Sequence, residues 1–198
     1  MYFSKEDKTQ IEIRDSRTRF SVRALVGVFL SKEDKLKPSA PYDVIISSQR
    51  DKEPEGYKKV KKEPFLVNSP GEYEIGGLLI HSFSENNGLI HVLQLDQQKV
   101  VYINELENDE LKSKQVERIG EVDVLIVALG GDNMTPQKAN NLISSLEPKM
   151  VIPFNYKKKE LKSFLKSLGV EEPQKEESNF TLKKKNLKKE GVTVKIIE

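Results

Sequence analysis

A chain of 198 residues is long enough for one domain with a sizeable core. Its 33 basic and 31 acidic residues leave a net charge of only +2, so composition gives no strong electrostatic case for nucleic acid. The chain has no cysteine, which excludes disulfides, thiolate metal sites and cysteine nucleophiles together.

No apolar run approaches the roughly 20 residues that a membrane span needs. The opening Met1 to Lys8 carries no apolar signal segment, so a cytoplasmic protein is expected. Lysine runs at Lys58-Lys59, Lys157 to Lys159 and Lys183 to Lys185 stand beside glutamates and read as solvated surface.

In chain order, Ile11 to Ile13 and Phe20 to Leu25 alternate as strands joined by a polar loop at Arg14 to Arg19. Val26 to Leu30 is apolar on both faces, and Ser31 to Pro41 is a polar connection. Val44-Ile45-Ile46 is β-branched and suits a central strand. The charged residues 51–63 read as a loop or one short helix, before a strand at Phe65 to Val67 and a turn at Asn68 to Gly71. Gly76-Gly77 sits between two strand-like runs as a tight hairpin. Asn86 to Gly88 is a turn before a strand at Leu89 to Leu95. The chain turns again at Asp96 to Gln98 into a strand at Lys99 to Ile103.

The period then changes. Asn108 to Ile119 suits a surface helix stopped by Gly120. Val122 to Leu129 is a buried strand that Gly130-Gly131 ends. Thr135-Pro136 has the form of an N-cap followed by proline at the first helical position, opening a helix to about Leu146 with Ala139, Leu142, Ile143 and Leu146 inward. Met150 to Ile152 is a strand ending at Pro153. Leu161 to Leu168 is a helix stopped by Gly169. Asn179 to Leu182 and Val192 to Ile197 close the sheet. No linker divides the chain, so residues 1–198 are expected to form a single α/β domain.

Several segments in order carry a resemblance: Ser69-Pro70-Gly71-Glu72-Tyr73-Glu74-Ile75, Ile119 to Leu125 with Gly130-Gly131, Met134-Thr135-Pro136, and Glu147 to Pro153. From about Asp43 onward the chain resembles the small zinc-dependent hydrolases of the metallo-β-lactamase fold, a lactonase-like branch. The resemblance implies a four-layer αββα sandwich with metals at one edge, held by loops at strand ends. In that family the loop after the first buried strand reads Ser-His-x-His-x-Asp-His. Here Ser47 keeps the serine, while the ligand positions fall on Ser48, Arg50, Lys52 and Glu53. The bridging aspartate falls on Glu105 or close to it, and the last histidine falls on Asn155. The middle histidine would fall near Ser82 to Glu85, where nothing matches.

A catalytic zinc needs about three protein ligands and an open position. Here two ligand positions are cations, which repel a metal ion. Arg50 and Lys52 are expected to neutralise Glu53 and Glu105 as ion pairs. His81 and His91, the two histidines present, are expected to be structural or exposed. Ser47-Ser48 has no evident histidine base, and the paired glycines lack the flanks of a phosphate loop. The leading reading is a catalytically inactive relative that needs no zinc or manganese cofactor and acts as a binding, scaffold or regulatory protein. An alternative is a hydrolase with unorthodox ligands from Glu53, Glu105, Asn155 and His81. A third is nucleic-acid binding through the lysine runs, the weakest because those lysines are dispersed. Homo-oligomerisation through the exterior is compatible with the sequence, which names no partner or ligand.

Overall fold

The apolar runs become two β-sheets whose inner faces share one core. The computed structural model describes residues 1–7, 10–14, 22–27, 42–60, 63–85, 88–95, 97–131, 133–171, 173–176, 178–187 and 191–197. The expected loop at 15–19, the apolar residues 28–30, the connection at 31–41, Asn86-Asn87 and Asp96 lie outside these.

The first sheet contains β1 (Tyr2–Asp7), β2 (Gln10–Arg14), β3 (Arg23–Gly27), β4 (Val44–Ser47), β5 (Phe65–Val67) and β13 (Asn179–Thr181). Its order is β13-β1-β2-β3-β4-β5. Strand alternation sorts its side chains by face. Ile11, Ile13, Ala24, Val26, Val44 and Ile46 enter the main core, while Leu25 and Ile45 join Tyr42 and Val60 in a smaller cluster. Glu12 is buried too, and its two oxygens take bonds from Arg23 Nε at 2.9 Å and Nη2 at 2.8 Å. That bidentate pairing meets the demand a buried carboxylate makes for partners.

The second sheet contains β6 (Gly71–Ile75), β7 (Leu78–Glu85), β8 (Gly88–Leu95), β9 (Gln98–Ile103), β10 (Val124–Ala128), β11 (Met150–Phe154), β12 (Gln174–Glu176) and β14 (Thr193–Ile197). Its order is β12-β14-β11-β10-β9-β8-β7-β6. Strands β9, β10, β11 and β14 run parallel, and β6 to β9 run antiparallel. All five residues of β10 are buried, as expected of a strand with layers on both faces. Asp123 locks the start of the parallel strands: it accepts the Lys99 amide at 3.0 Å and the Lys149 ammonium at 2.8 Å.

Helices α1 (Ser113–Ile119), α2 (Pro136–Leu146) and α3 (Lys158–Ser167) flank this sheet, and the helical turn Tyr57–Lys59 covers the outer face of the first, where Tyr57 packs on the cluster of Leu25, Ile45 and Val60; the layers are those of an αββα sandwich. None of the described helices is long and apolar enough to cross a membrane. In α2, Thr135 Oγ1 accepts the Lys138 amide at 3.2 Å, and Ala139, Leu142, Ile143 and Leu146 form the buried face. Helix α1 is shorter than its sequence predicts. Lys138 Nζ takes the carbonyls of Leu106 and Glu107 at 2.8 Å each, and Asn141 Nδ2 takes that of Asp109 at 3.1 Å. Only the Asp109 carbonyl lies within the expected helix, and Gln115 Oε1 caps the shorter one by accepting the Lys112 amide at 2.8 Å.

Three smaller differences have local causes. Strand β11 runs through Pro153 to Phe154; β14 pairs only with Met150 and Val151, so a proline there sits beside no second partner. Helix α3 starts earlier than expected because Glu160 Oε2 accepts the Lys157 amide at 2.6 Å. Strand β12 is Gln-Lys-Glu, with no apolar signal to announce it.

The hairpin at Gly76-Gly77 has φ of 58° and 84°, the left-handed pair a two-residue turn requires. Gly130 is needed for a different reason: a methyl there would lie 2.8 Å from both the Asn155 carbonyl oxygen and Glu160 Oε2. Gly130→Ala should therefore lower unfolding free energy in urea by about 1–3 kcal/mol, the usual range for overpacking. An unchanged midpoint would show that this approach is not needed.

Candidate functional site

The mouth of the sandwich is where β4 ends. Ser47 is the last residue of β4, and its carbonyl accepts a bond from His91 Nε2 of β8 at 3.0 Å. Nε2 therefore carries the proton, and Nδ1 accepts from Ser82 Oγ of β7 at 2.7 Å. One imidazole thus ties the two sheets together. His91 is fully buried, and burial lowers its pKa to about 4, with the Ser47 bond acting weakly the other way. Both nitrogens are engaged and no lone pair is left for a metal. The histidine is structural, as expected.

The chain leaves Ser47 through Ser48, whose carbonyl accepts the Leu89 amide at 3.0 Å, and Gln49 bridges to Gly88. Ser48 is buried and stands by Tyr102 of β9. The Tyr102 ring stacks on His91, with centroids 5.8 Å apart, and tilts against Phe154 at 5.5 Å. Burial drives the Tyr102 hydroxyl well above its ordinary pKa; the nearby Ser48 hydroxyl opposes this and Glu105 adds to it. Even so, among the described residues Ser48 Oγ, Tyr102 Oη and Asn104 Oδ1 are all buried without a well-formed bond. Asn104 shares the face of Tyr102 by alternation, and its Nδ2 donates to Glu105 at 3.3 Å. Buried hydroxyl and amide groups thus pack behind the mouth. Tyr102, Asn104, Ser82 and His91 were not singled out as site residues. The only signal for them was polar residues at inward positions of apolar strands.

The remaining ligand positions divide. Glu105 stays at the mouth, with its Cβ and the Ser48 carbonyl both beside Gly88. Asn155 lies past β11 with φ of 48°, a left-handed conformation asparagine tolerates, and its carbonyl crowds Gly130. Arg50, Lys52 and Glu53 are exposed. The expected ion pairs to Glu53 and Glu105 do not form. Arg50 pairs with its neighbour Asp51 at 3.1 Å, and Glu53 with Lys58 at 3.7 Å. The cause is backbone anchoring. The Asp51 amide bonds the Asn68 carbonyl at 2.7 Å, Asn68 Nδ2 bonds the Lys52 carbonyl at 3.0 Å, and Ser69 Oγ bonds Asp51 Oδ1 at 2.7 Å. With Asp51 at φ 55°, the loop is tied to the β5–β6 turn and its side chains face solvent.

His81 gives the mouth nothing either. It faces the helix layer, where Arg118 Nη2 donates to its Nε2. Among the described residues no three His, Cys, Asp or Glu side chains are grouped to hold a metal ion. The donor set therefore does not fit zinc, which takes about three such ligands.

A family model described as the β-lactamase superfamily domain matches residues 21–155. The chain belongs to the metallo-β-lactamase superfamily. A protein from Thermotoga maritima, assigned as a Zn-dependent hydrolase of this superfamily, superposes on it with a TM-score of 0.74 at 22% identity, over 100% of both chains. A metallo hydrolase from the archaeon Ignicoccus hospitalis gives 0.60 at 12% identity, over 92% of this chain and 99% of that one. The metallo-β-lactamase fold protein YhfI from Bacillus subtilis gives 0.55 at 12%, over 82% and 86%. No curated protein sequence matches the chain. Identities this low carry the fold of these metallo-β-lactamase relatives and no activity.

Two predictions follow from the mouth of this metallo-β-lactamase sandwich. The folded His91 pKa of about 4 lies below the ordinary 6.5, so the unfolded chain binds more protons between those values. Stability from this group is complete above pH 6.5 and is lost as pH falls toward 4. Denaturant unfolding should show a wild-type loss about 2 kcal/mol larger than that of His91→Gln between pH 7 and pH 5; equal losses would contradict a buried neutral imidazole. Tyr102→Phe removes an unpartnered hydroxyl and should leave the melting temperature unchanged or raise it, whereas a fall equivalent to about 1 kcal/mol or more would mean that the hydroxyl is bonded.

Proposed function

We propose that this chain is a metal-free, non-hydrolytic member of its superfamily that acts by binding, as a scaffold or regulatory protein, with residues 1–198 working as one cytoplasmic domain. One observation carries the reading. The positions that hold metal in the family's motif are here a buried serine, three solvent-facing charged side chains, an asparagine and one glutamate. A single carboxylate at the mouth cannot assemble a Lewis-acid site or a paired-carboxylate acid and base. The near-neutral net charge argues against nucleic acid as the partner.

The test is elemental analysis of protein purified without chelator and then dialysed against zinc and manganese. The expected result is far less than one metal ion per chain and no metal-stimulated phosphodiesterase or lactonase activity. Stoichiometric, tightly held metal that Glu105→Gln removes would overturn the reading in favour of a hydrolase with unorthodox ligands.

A further inference from the structure

A second concave site lies on the other side of the eight-stranded sheet. Ser82 and His91 face the core, so the adjacent His81 faces the helix layer. There β6, β7 and α1 enclose a cleft of about 630 Å³ lined by Glu72, His81, Phe83, Lys114 and Arg118. The volume falls within the range of small-molecule sites.

Arg118 is held in place without being neutralised. Its guanidinium carbon lies 5.2 Å from the Phe83 ring centroid, and Nη2 donates to His81 Nε2. Arginine only donates, so the imidazole is the neutral acceptor. Burial first, and Arg118 second, lower the His81 pKa. Among the described residues Arg118 and Lys114 form no ion pair. Glu72, opposite His81 across the strands, is the lining carboxylate, and it lies beyond ion-pair distance of Arg118. Lys114 and Arg118 are four residues apart on α1 and so project from one face. A guanidinium fixed by stacking and by one hydrogen bond, with no other bond among the described residues, matches an acceptor that takes two parallel bonds.

We propose that this cleft binds an oxyanion, the phosphate of a monoester or a carboxylate, with the Arg118 fork as its main contact and Lys114 as the second charge. The site is independent of the mouth and of whether the chain is catalytically inactive. His81 is the built-in reporter, and His91, buried on the opposite face, is the internal control.

The experiment follows the two histidine ring Cε1–H resonances by NMR at pH 7.5. Inorganic phosphate and acetate are titrated separately, against sodium chloride at matched ionic strength. His81 should shift saturably with half-saturation in the millimolar range, roughly as expected for an open, solvent-screened pair, while His91 stays still. Saturation by phosphate alone assigns a phosphate monoester; saturation by acetate also assigns a carboxylate. Arg118→Gln should weaken binding roughly tenfold or more and Arg118→Lys several-fold, because lysine keeps the charge without the fork. Glu72→Gln should tighten it. An unmoved His91 resonance in each variant shows that the fold is intact. The proposal is overturned if His81 moves no more in phosphate or acetate than in chloride, or if Arg118→Gln titrates like the wild type.

Discussion

The mouth of this sandwich is organised by one neutral imidazole. His91 lies on β8, accepts from Ser82 on β7 and donates to the Ser47 carbonyl at the end of β4. It joins two neighbouring strands of one sheet to the last strand residue before the loop of the other. Each ring nitrogen has its partner, so the burial penalty is met and the link has a defined geometry. The same position fixes Tyr102, whose ring is held between His91 and Phe154. The spacing of the two sheets at this rim and the placement of the polar groups lining it share one cause.

What the loop after β4 does next decides the chemistry. Ser48 stays inside, held by its bond to Leu89, and the chain is then captured by Asn68 and Ser69 and turned outward. Arg50, Lys52 and Glu53 consequently sit in water. Pairs such as Arg50–Asp51 and Glu53–Lys58 add little stability there. The mouth was not filled with compensating charges. Behind it lie buried hydroxyl and amide groups, three of whose atoms find no partner among the described residues. On the far side of the same sheet, Arg118 is positioned by Phe83 and His81 and forms no ion pair among the described residues.

The frame was legible in the sequence because its signals are local. Apolar runs marked the strands, Thr135-Pro136 marked the start of α2, and Gly76-Gly77 marked the hairpin. Distant groups override local pattern elsewhere, as when Asn141 of α2 takes the Asp109 carbonyl inside the expected span of α1. The same limit explains the site. Loss of ligands could be read position by position, but the direction taken by residues 50–53 depends on Asn68, which sequence spacing does not connect to them. His91 read as a structural histidine within a strand; that it bridges the two sheets follows only from their packing. The cleft at Arg118 brings together β6, β7 and α1, and no motif announces it.

The metallo-β-lactamase frame persists here, while the ligand residues and the inward course of the loop that carries three of them are lost. Restoring both tests this directly, through a variant carrying Ser48→His, Arg50→His, Lys52→Asp, Glu53→His, Glu105→Asp and Asn155→His, with Asn68→Ala and Ser69→Ala to release the loop. The measurement is zinc content per chain after dialysis, taken beside the wild type. The variant is expected to take up zinc near stoichiometrically while the wild type takes up almost none. A wild type that binds as much zinc as the variant, or a folded variant that binds none, would contradict it.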